Sequence, residues 1–356
     1  MKQMTNDTGS SHLAALGLAV PGRAWNQRET LSFLLANYGE MLSSRHQAFL
    51  KRIFANPAIQ TRYFAFSAPE ILLAETPDQR IDRFQREAVA LAGSAIRRAL
   101  ARAGLTAGEI TGLVVNTCTG YLCPGLSSYL LEELDLRRDI RAYDLVGGGC
   151  GGALPNLQLA APLVRESDGP VLSVAVEICS ATYQMEDDPG LLLSNALFSD
   201  GAAAAVLQGQ PGGWRLVAST SRHLPELREH IRYVHRNGQL YNQLSLDLPG
   251  LIGEKIPPMI RDFLAGQGLT VEQIEHWALH AGGEKIIGVL EERLQLDQAQ
   301  LAPARKTLAQ YGNLSSPTAM FVLEEITAQG VQAGERCLLL AFGAGLSAHA
   351  LLLERV

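Results

Sequence analysis

Three short segments far apart in the chain carry side chains able to do chemistry together: Cys150 in VGGGCGGA, His280 in WALHAGG and Asn313 in QYGNLSS. Each is a nucleophilic or polar residue in an apolar, glycine-rich setting where packing alone would favour leucine or valine. The combination points to thiolate chemistry. Residues 140–146 read as a strand, three glycines follow, and 153–164 read as a helix, so Cys150 falls at a strand-to-helix turn. Unpaired N–H groups and the positive dipole end at a helix start favour an anion and predict a lowered thiol pKa. The glycines permit tight backbone geometry and close approach of a substrate. Pro155 suits a first helical turn, where a proline costs no hydrogen bond.

Each residue also has a plainer reading. Free cysteine is among the most buried residue types and packs as a small hydrophobe. His280 ends the apolar run Trp277, Ala278, Leu279 and precedes Ala-Gly-Gly and an amphipathic helix over 284–296. The C-terminal end of a strand opening into a glycine turn is where α/β enzymes place working groups, although a lone histidine there is also compatible with structure alone. Asn313 precedes Leu314, Ser315, Ser316 and Pro317 and a helix over 318–327, a pattern an ordinary helix cap would also give.

A chain of 356 residues suffices for one large α/β domain or two intimately packed halves with a buried core. The net charge of −6 gives no general electrostatic case for nucleic acid or an anionic membrane, and a phosphate-bearing ligand needs a local basic patch. The five cysteines, Cys118, Cys123, Cys150, Cys179 and Cys337, are an odd set without C-x-x-C, which predicts a reduced, cytoplasmic protein and no metal site. Residues 1–12 read as a disordered leader, not a secretory signal. The apolar run 337–353 is broken by Gly343, Gly345, Ser347 and His349, so it reads as two buried strands, not a membrane span.

Helical periodicity appears over 28–38, 44–54, 84–103 and 126–134. Strand-like runs appear over 112–117, 171–177, 202–207, 214–219, 337–342 and 348–353, and the alternation predicts layered α/β architecture. The turn GQPGG at 209–213 is the best internal boundary, dividing an N-terminal half (13–210) with the cysteine from a C-terminal half (211–356) with the histidine and asparagine. Residues 222–241 are rich in His and Arg, poorly periodic, and read as loop. Within them His223, His230 and His235 lack regular metal spacing.

In chain order, NTCTGYLCPGLSSYL, GGGC, NALFSDGAAAAV, HAGG, YGNLSSPTAMFVLEE and AFGAGLS resemble the type III polyketide synthases, relatives of chalcone and stilbene synthase, from about residue 13 to the end. The resemblance implies an α/β, thiolase-like, layered αβαβα fold of two similar halves, and a homodimer. It implies a catalytic triad of Cys150, His280 and Asn313, and a gatekeeping wall at Phe198. It also implies malonyl-CoA and acyl thioesters as substrates with no cofactor. On that pattern Cys150 holds a starter acyl group, His280 and Asn313 stabilise the enolate left when malonyl-CoA loses carbon dioxide, and the enolate extends the chain by two carbons.

The departures bear on the product. Cys118 and Cys179 stand where threonines usually line the pocket, Thr182 and Ser315 remain as polar lining, and Cys123 stands where a partner subunit's residue often closes the pocket. These substitutions favour an apolar cavity for a fatty acyl starter giving an alkylpyrone or alkylresorcinol, unless the bulk of Tyr233, in the loop with Tyr241 and Asn242, shortens it. Of three basic positions for coenzyme A around LKRIFANPAIQTRYF, only Arg52 matches. Phe49 and Asn56 replace lysines, Lys51 is the candidate substitute, and acyl carrier protein is a possible donor of the starter. Glu177 and Asp200 read as anchoring hydrogen-bond acceptors near the site. The competing readings are a single-step β-ketoacyl synthase of the initiating type and a non-catalytic acyl-binding scaffold.

Overall fold

The computed structural model describes residues 11–356. Strand β1 (His12–Ala19) leads through β2 (Ala24–Asn26) to helices α1 (Gln27–Tyr38) and α2 (Ser44–Phe54) and strand β3 (Thr61–Tyr63). Helices α3 (Ile71–Ala74) and α4 (Pro77–Ala103) precede β4 (Gly112–Thr117), α5 (Leu126–Glu133) and β5 (Arg141–Val146). Next come α6 (Ala153–Glu166), β6 (Val171–Glu177), α7 (Pro189–Leu197), β7 (Gly201–Gln208) and β8 (Trp214–His223). A hairpin, β9 (Ile231–Arg236) and β10 (Gln239–Leu244), precedes α8 (Leu248–Ala265), β11 (His276–Leu279), α9 (Glu284–Leu294), α10 (Gln298–Tyr311) and α11 (Thr318–Ala328). Strands β12 (Arg336–Gly343) and β13 (Ser347–Arg355) end the chain.

One strand-pairing pattern occurs twice. In the first, β4 runs parallel to β6, β6 antiparallel to β7, and β7 antiparallel to β1. In the second, β11 runs parallel to β12, β12 antiparallel to β13, and β13 antiparallel to β8. A short β1–β8 pairing at His12 and Leu13 joins them into the order β11-β12-β13-β8-β1-β7-β6-β4-β5. Helix α6 lies between the two sets of strands, touching β4 and β6 on one side and β12 and β13 on the other, while α11 packs on β11, β12 and β1. With α4 and α5 outside one set and α10 outside the other, the layers are thiolase-like αβαβα.

The sheet strands are apolar on both faces because helices cover both. In β4, Val114 enters one core with α6 while Leu113 and Val115 enter the other with α4. Phe84, Ala88, Leu91, Ala95 and Ala99 form the buried stripe of α4 at helical spacing. The helix lies so close to β1 that a Cβ on Gly17 would sit 2.0 Å from the Ala95 carbonyl oxygen.

Three sequence expectations need correction. Helix α4 starts at Pro77, not 84, because Thr76 and Gln79 form a capping box and Pro77 takes the first position. Residues 1–10 of the expected leader lie outside the described residues, but Ser11 and His12 belong to the fold: both are buried, and Ser11 Oγ donates to the Ala161 carbonyl at 2.8 Å. Much of 222–241 is ordered as strand, with β9 paired to β10 across a turn at Asn237 and Gly238. Among the described residues, no helix is long and apolar enough to cross a membrane.

Candidate active site

The turn carrying Cys150 runs from edge strand β5 into α6 through a short 3-10 turn, Gly149–Gly151. Its glycines are required by backbone-to-backbone packing on the β12–β13 turn. Gly149 has φ +58°, and a Cβ there would lie 2.6 Å from the Ala344 amide nitrogen. A Cβ on Gly151 would lie 2.9 Å from the Gly343 nitrogen. No larger residue fits either place. The turn thus holds Cys150, 7% exposed, against strands of the other half of the chain.

His280 follows the last residue of β11, where its N–H donates to the Leu340 carbonyl of β12 at 2.7 Å. Its ring is buried, and Nδ1 has no hydrogen-bond partner among the described residues. Asn313 enters from the α10–α11 connection and bridges to Phe198: its N–H donates to the Leu197 carbonyl at 2.9 Å, and its carbonyl accepts from the Ser199 N–H at 2.9 Å. The amide orientation is fixed because Oδ1 accepts from the Ser315 N–H at 2.8 Å while Nδ2 donates to the Gly282 carbonyl at 3.2 Å. Nδ2 therefore keeps a second hydrogen to offer.

Cys150, His280, Asn313 and Phe198 line one cavity of about 510 Å³, and Arg52 lies on the same wall. Behind Phe198 is a chamber of only about 20 Å³, lined by Cys179, Thr182, Arg62, Tyr183, Tyr233 and Asn242 among others. Phe198 is common to both, so it forms the wall between them. Ser315, at φ +59°, donates from Oγ to Cys150 Sγ at 3.4 Å and lies 3.5 Å from Cys118 Sγ, bridging the two thiols.

Below this layer, buried Glu177 accepts from Ser316 Oγ (2.6 Å), Thr119 Oγ1 (2.9 Å) and the Cys118 N–H (2.9 Å). Asp200 accepts from the Ala65 and Ser180 N–H groups at 2.6 and 2.8 Å. Burial raises the pKa of both carboxyls. They tie the site together from beneath, and neither lines the cavity.

The expectation of a lowered thiol pKa is not met. Burial pushes Cys150 up to about 12, outweighing the Ser315 hydrogen bond, and pushes His280 down to about 4. The physical reason is that desolvation inside a closed α/β core penalises both charged forms more than one hydrogen bond and a helix start can repay. Both shifts favour the neutral thiol and the neutral imidazole.

Four expected site residues line neither cavity: Cys118 and Ser315, which reach Cys150 only through the Ser315 hydroxyl, and Lys51 and Cys123. Lys51 on α2 points away to solvent, since Arg52 and not Lys51 lines the wall, and Cys123 is exposed on the β4–α5 loop. In the smaller chamber Tyr233 Oη lies 3.2 Å from Thr182 Oγ1, so the Tyr233 ring takes up space there. Sequence reasoning missed Arg62 and Lys285 at these cavities. Lys285 stands five residues after His280, and its place in the first turn of the following helix was the available signal.

Comparison with known proteins agrees with this geometry. Residues 26–235 match the family described as FAE1/type III polyketide synthase-like protein, and 215–356 match the chalcone and stilbene synthases, C-terminal domain. The chain is 32% identical to 1,3,6,8-tetrahydroxynaphthalene synthase of Streptomyces peucetius subsp. caesius, covering 98% of this chain and 94% of that protein. It is 28% identical to 3,5-dihydroxyphenylacetyl-CoA synthase of Streptomyces toyocaensis, covering 96% and 89%. The crystal structure of tetrahydroxynaphthalene synthase from Streptomyces coelicolor A3(2) superposes with TM-score 0.90 at 27% identity, covering 97% and 99% of the two chains. PKS-I from the brown alga Ectocarpus siliculosus superposes with TM-score 0.89 at 27% identity over 98% of each. With both halves matched by the family and the whole length shared with relatives, the chain belongs to the type III polyketide synthases, acyl-transferring enzymes of the chalcone and stilbene synthase family.

Proposed function

We propose that this enzyme condenses malonyl units iteratively onto a small acyl starter held on Cys150, and releases a cyclised polyketide. The observation that carries the reading is the single cavity onto which Cys150, His280 and Asn313 all open, with Phe198 walling off a deeper chamber. His280, neutral at rest, takes the Cys150 proton as sulfur attacks the starter thioester; the C–S bond to the carrier breaks and the departing thiolate receives the proton. Malonyl thioester then binds. Its C–carboxylate bond breaks, carbon dioxide leaves, and the enolate oxygen gains hydrogen bonds from His280 and the free hydrogen of Asn313 Nδ2. The enolate carbon attacks the acyl group on Cys150, a C–C bond replaces the C–S bond, and the cysteine is regenerated for the next cycle.

The cysteine leaves the condensation as a thiolate, the one proton consumed per cycle comes from water, and the hydrogen bonds come from the histidine and asparagine, so the reading calls for no cofactor. The narrow chamber lined by Tyr233 and Thr182 supports a small starter over a fatty one. Thioesters of coenzyme A and of acyl carrier protein present the same pantetheine arm and both suit the cavity. The exposed Tyr143 and Val146 on edge strand β5, with Tyr121 70% exposed on the loop before α5, support a homodimer through that edge. Five unpaired cysteines support a cytoplasmic setting.

Mass spectrometry of products from malonyl-CoA with acetyl-, malonyl-, hexanoyl- and lauroyl-CoA tests the reading. The expected products carry two or more added acetate units on a short starter and vanish with Cys150→Ala. Addition of a single unit would move the assignment to a β-ketoacyl synthase.

A further inference from the structure

The chamber behind Phe198 is lined by donors that the rest of the chain leaves without acceptors. Arg62 is 1% exposed, and its Nε and Nη1 donate to Gln27, Asn195 and Phe198, but Nη2 has no hydrogen-bond partner among the described residues. Tyr183 Oη is also buried and also unpartnered. Both residues line the chamber, and no aspartate or glutamate does. Phe54 and Phe64 lie with ring centres 5.3 and 4.9 Å from the guanidinium carbon, covering its faces and leaving Nη2 to bond along its edge.

Charge is out of balance at the same place. Arg62, Arg80 and Arg83 are all buried, whereas the carboxylates beside them are Glu75 and Asp200. Glu75 is taken by Arg83 at 2.8 Å and by Arg80 at 3.8 Å. Asp200 accepts from Ala65 and Ser180, and among the described residues no carboxylate forms an ion pair with Arg62. A buried cation without a paired anion is costly. A negatively charged group that only accepts hydrogen bonds meets both needs, whereas a water meets the hydrogen bonds alone. The chamber, about 20 Å³, admits one or two water-sized groups, the size of a carboxylate head.

We propose that this chamber is a binding site for a small carboxylate, which accepts from Arg62 Nη2 on one oxygen and from Tyr183 Oη on the other. The site stands independently of whether the chain condenses thioesters. The same chemistry is offered by a free ion such as formate and by the far end of an acyl group that carries its own carboxylate. Occupancy completes the bonding of the guanidinium whose Nη1 holds the Phe198 carbonyl at 3.1 Å, so the ligand braces the wall from behind.

An NMR titration of isotope-labelled formate into the unsubstituted enzyme, with no thioester present, tests the site. Saturable broadening of the formate line, or a separate bound signal, is expected. Tyr183→Phe keeps the ring and loses the hydroxyl, and it should weaken formate binding about tenfold or more. No saturable signal overturns the site, as does a Tyr183→Phe affinity within about twofold of the parent. Calorimetric titration of Cys150→Ala protein with succinyl-CoA and butyryl-CoA, each with and without formate, then separates the two sources. Formate that weakens succinyl-CoA alone places the carboxylate at the end of an acyl group. Formate that changes neither assigns the chamber to a free ion. Equal weakening of both overturns the proposal, since formate would then occupy the channel that every thioester uses. Failure of the polyketide reading itself would show separately, as an absence of products from the unsubstituted enzyme given malonyl-CoA.

Discussion

Tyr233 Oη lies 3.2 Å from Thr182 Oγ1, and this contact joins the β9–β10 hairpin to the floor of the chamber behind Phe198. The space left, about 20 Å³, holds about one or two water molecules. Removing the ring should therefore change which starters fit more than it changes the condensation itself. Tyr233→Ala is expected to raise the kcat/KM ratio of hexanoyl-CoA to acetyl-CoA by about tenfold or more, the scale of discrimination that a few methylenes allow. Tyr233→Phe, which loses the hydrogen bond but keeps the bulk, should leave that ratio close to the parent value. A ratio that moves equally in both variants would show that the hydrogen bond, not the volume, selects the starter.

Burial of His280 sets the pH dependence. Its imidazole is pushed down to about 4, so the neutral form that accepts the Cys150 proton persists well below the usual histidine range. The sign follows directly: activity is lost as pH falls through the folded pKa and is retained above it. The acid limb of kcat/KM, and of Cys150 alkylation by iodoacetamide, should fall near pH 4, with a plateau across neutrality because burial pushes the thiol up to about 12. His280→Gln should abolish the plateau. An acid limb at the ordinary histidine value of about 6.5 would mean that the ring is solvated in the working enzyme.

What sequence could and could not disclose divides along physical lines. The nucleophile turn was legible because packing on Gly343 and Ala344 leaves no room for a side chain, and that constraint is written as a run of glycines. The order of strands and helices was legible because two-sided burial makes the β4 and β6 segments mostly apolar along their length. The β9–β10 hairpin was not, since its residues are mostly half-buried and IRYVHR shows no clean alternation. Yet Asn237-Gly238, with both φ values positive, is the turn pair that most strongly marks a hairpin, and it stood in the sequence. The thiol pKa is hidden from the sequence for a different reason. A helix start is visible in sequence, but the desolvation that outweighs it depends on β12 and β13, nearly two hundred residues away along the chain.

Asn313 is held with its amide hydrogens toward Gly282 and the cavity, so replacing it by a carboxylate reverses the polarity offered to the enolate. Asn313→Asp keeps an oxygen to accept from the Ser315 N–H but sets a negative charge near the Gly282 carbonyl and the developing anion. Decarboxylation of malonyl-CoA should fall by about 10²–10³, the usual cost of losing one oxyanion donor. Loading of the starter on Cys150, read as the acyl-enzyme mass, should persist. Loss of loading together with decarboxylation would place Asn313 in the cysteine's activation instead.

Arg62 supports the gatekeeper from behind. It is buried, Nη1 donates to the Asn195 and Phe198 carbonyls at 2.6 and 3.1 Å, and Nε donates to Gln27 Oε1 at 2.9 Å. Among the described residues no carboxylate forms an ion pair with it, and burial lowers its pKa to about 10, so the guanidinium is still charged at neutral pH. Its worth lies in the three acceptors it satisfies at once, a geometry that the single ammonium of lysine cannot reproduce. Arg62→Leu relieves the buried charge but orphans those acceptors, and it is expected to destabilise the fold by about 2–4 kcal/mol in urea unfolding. Arg62→Lys should recover only part of this. The Phe198 wall should loosen with it, so Arg62→Lys, the variant most able to stay folded, is expected to broaden the set of starters in the product assay. A Lys variant of parental stability and unchanged product range would show that the carbonyls of Asn195 and Phe198 hold their positions without the guanidinium.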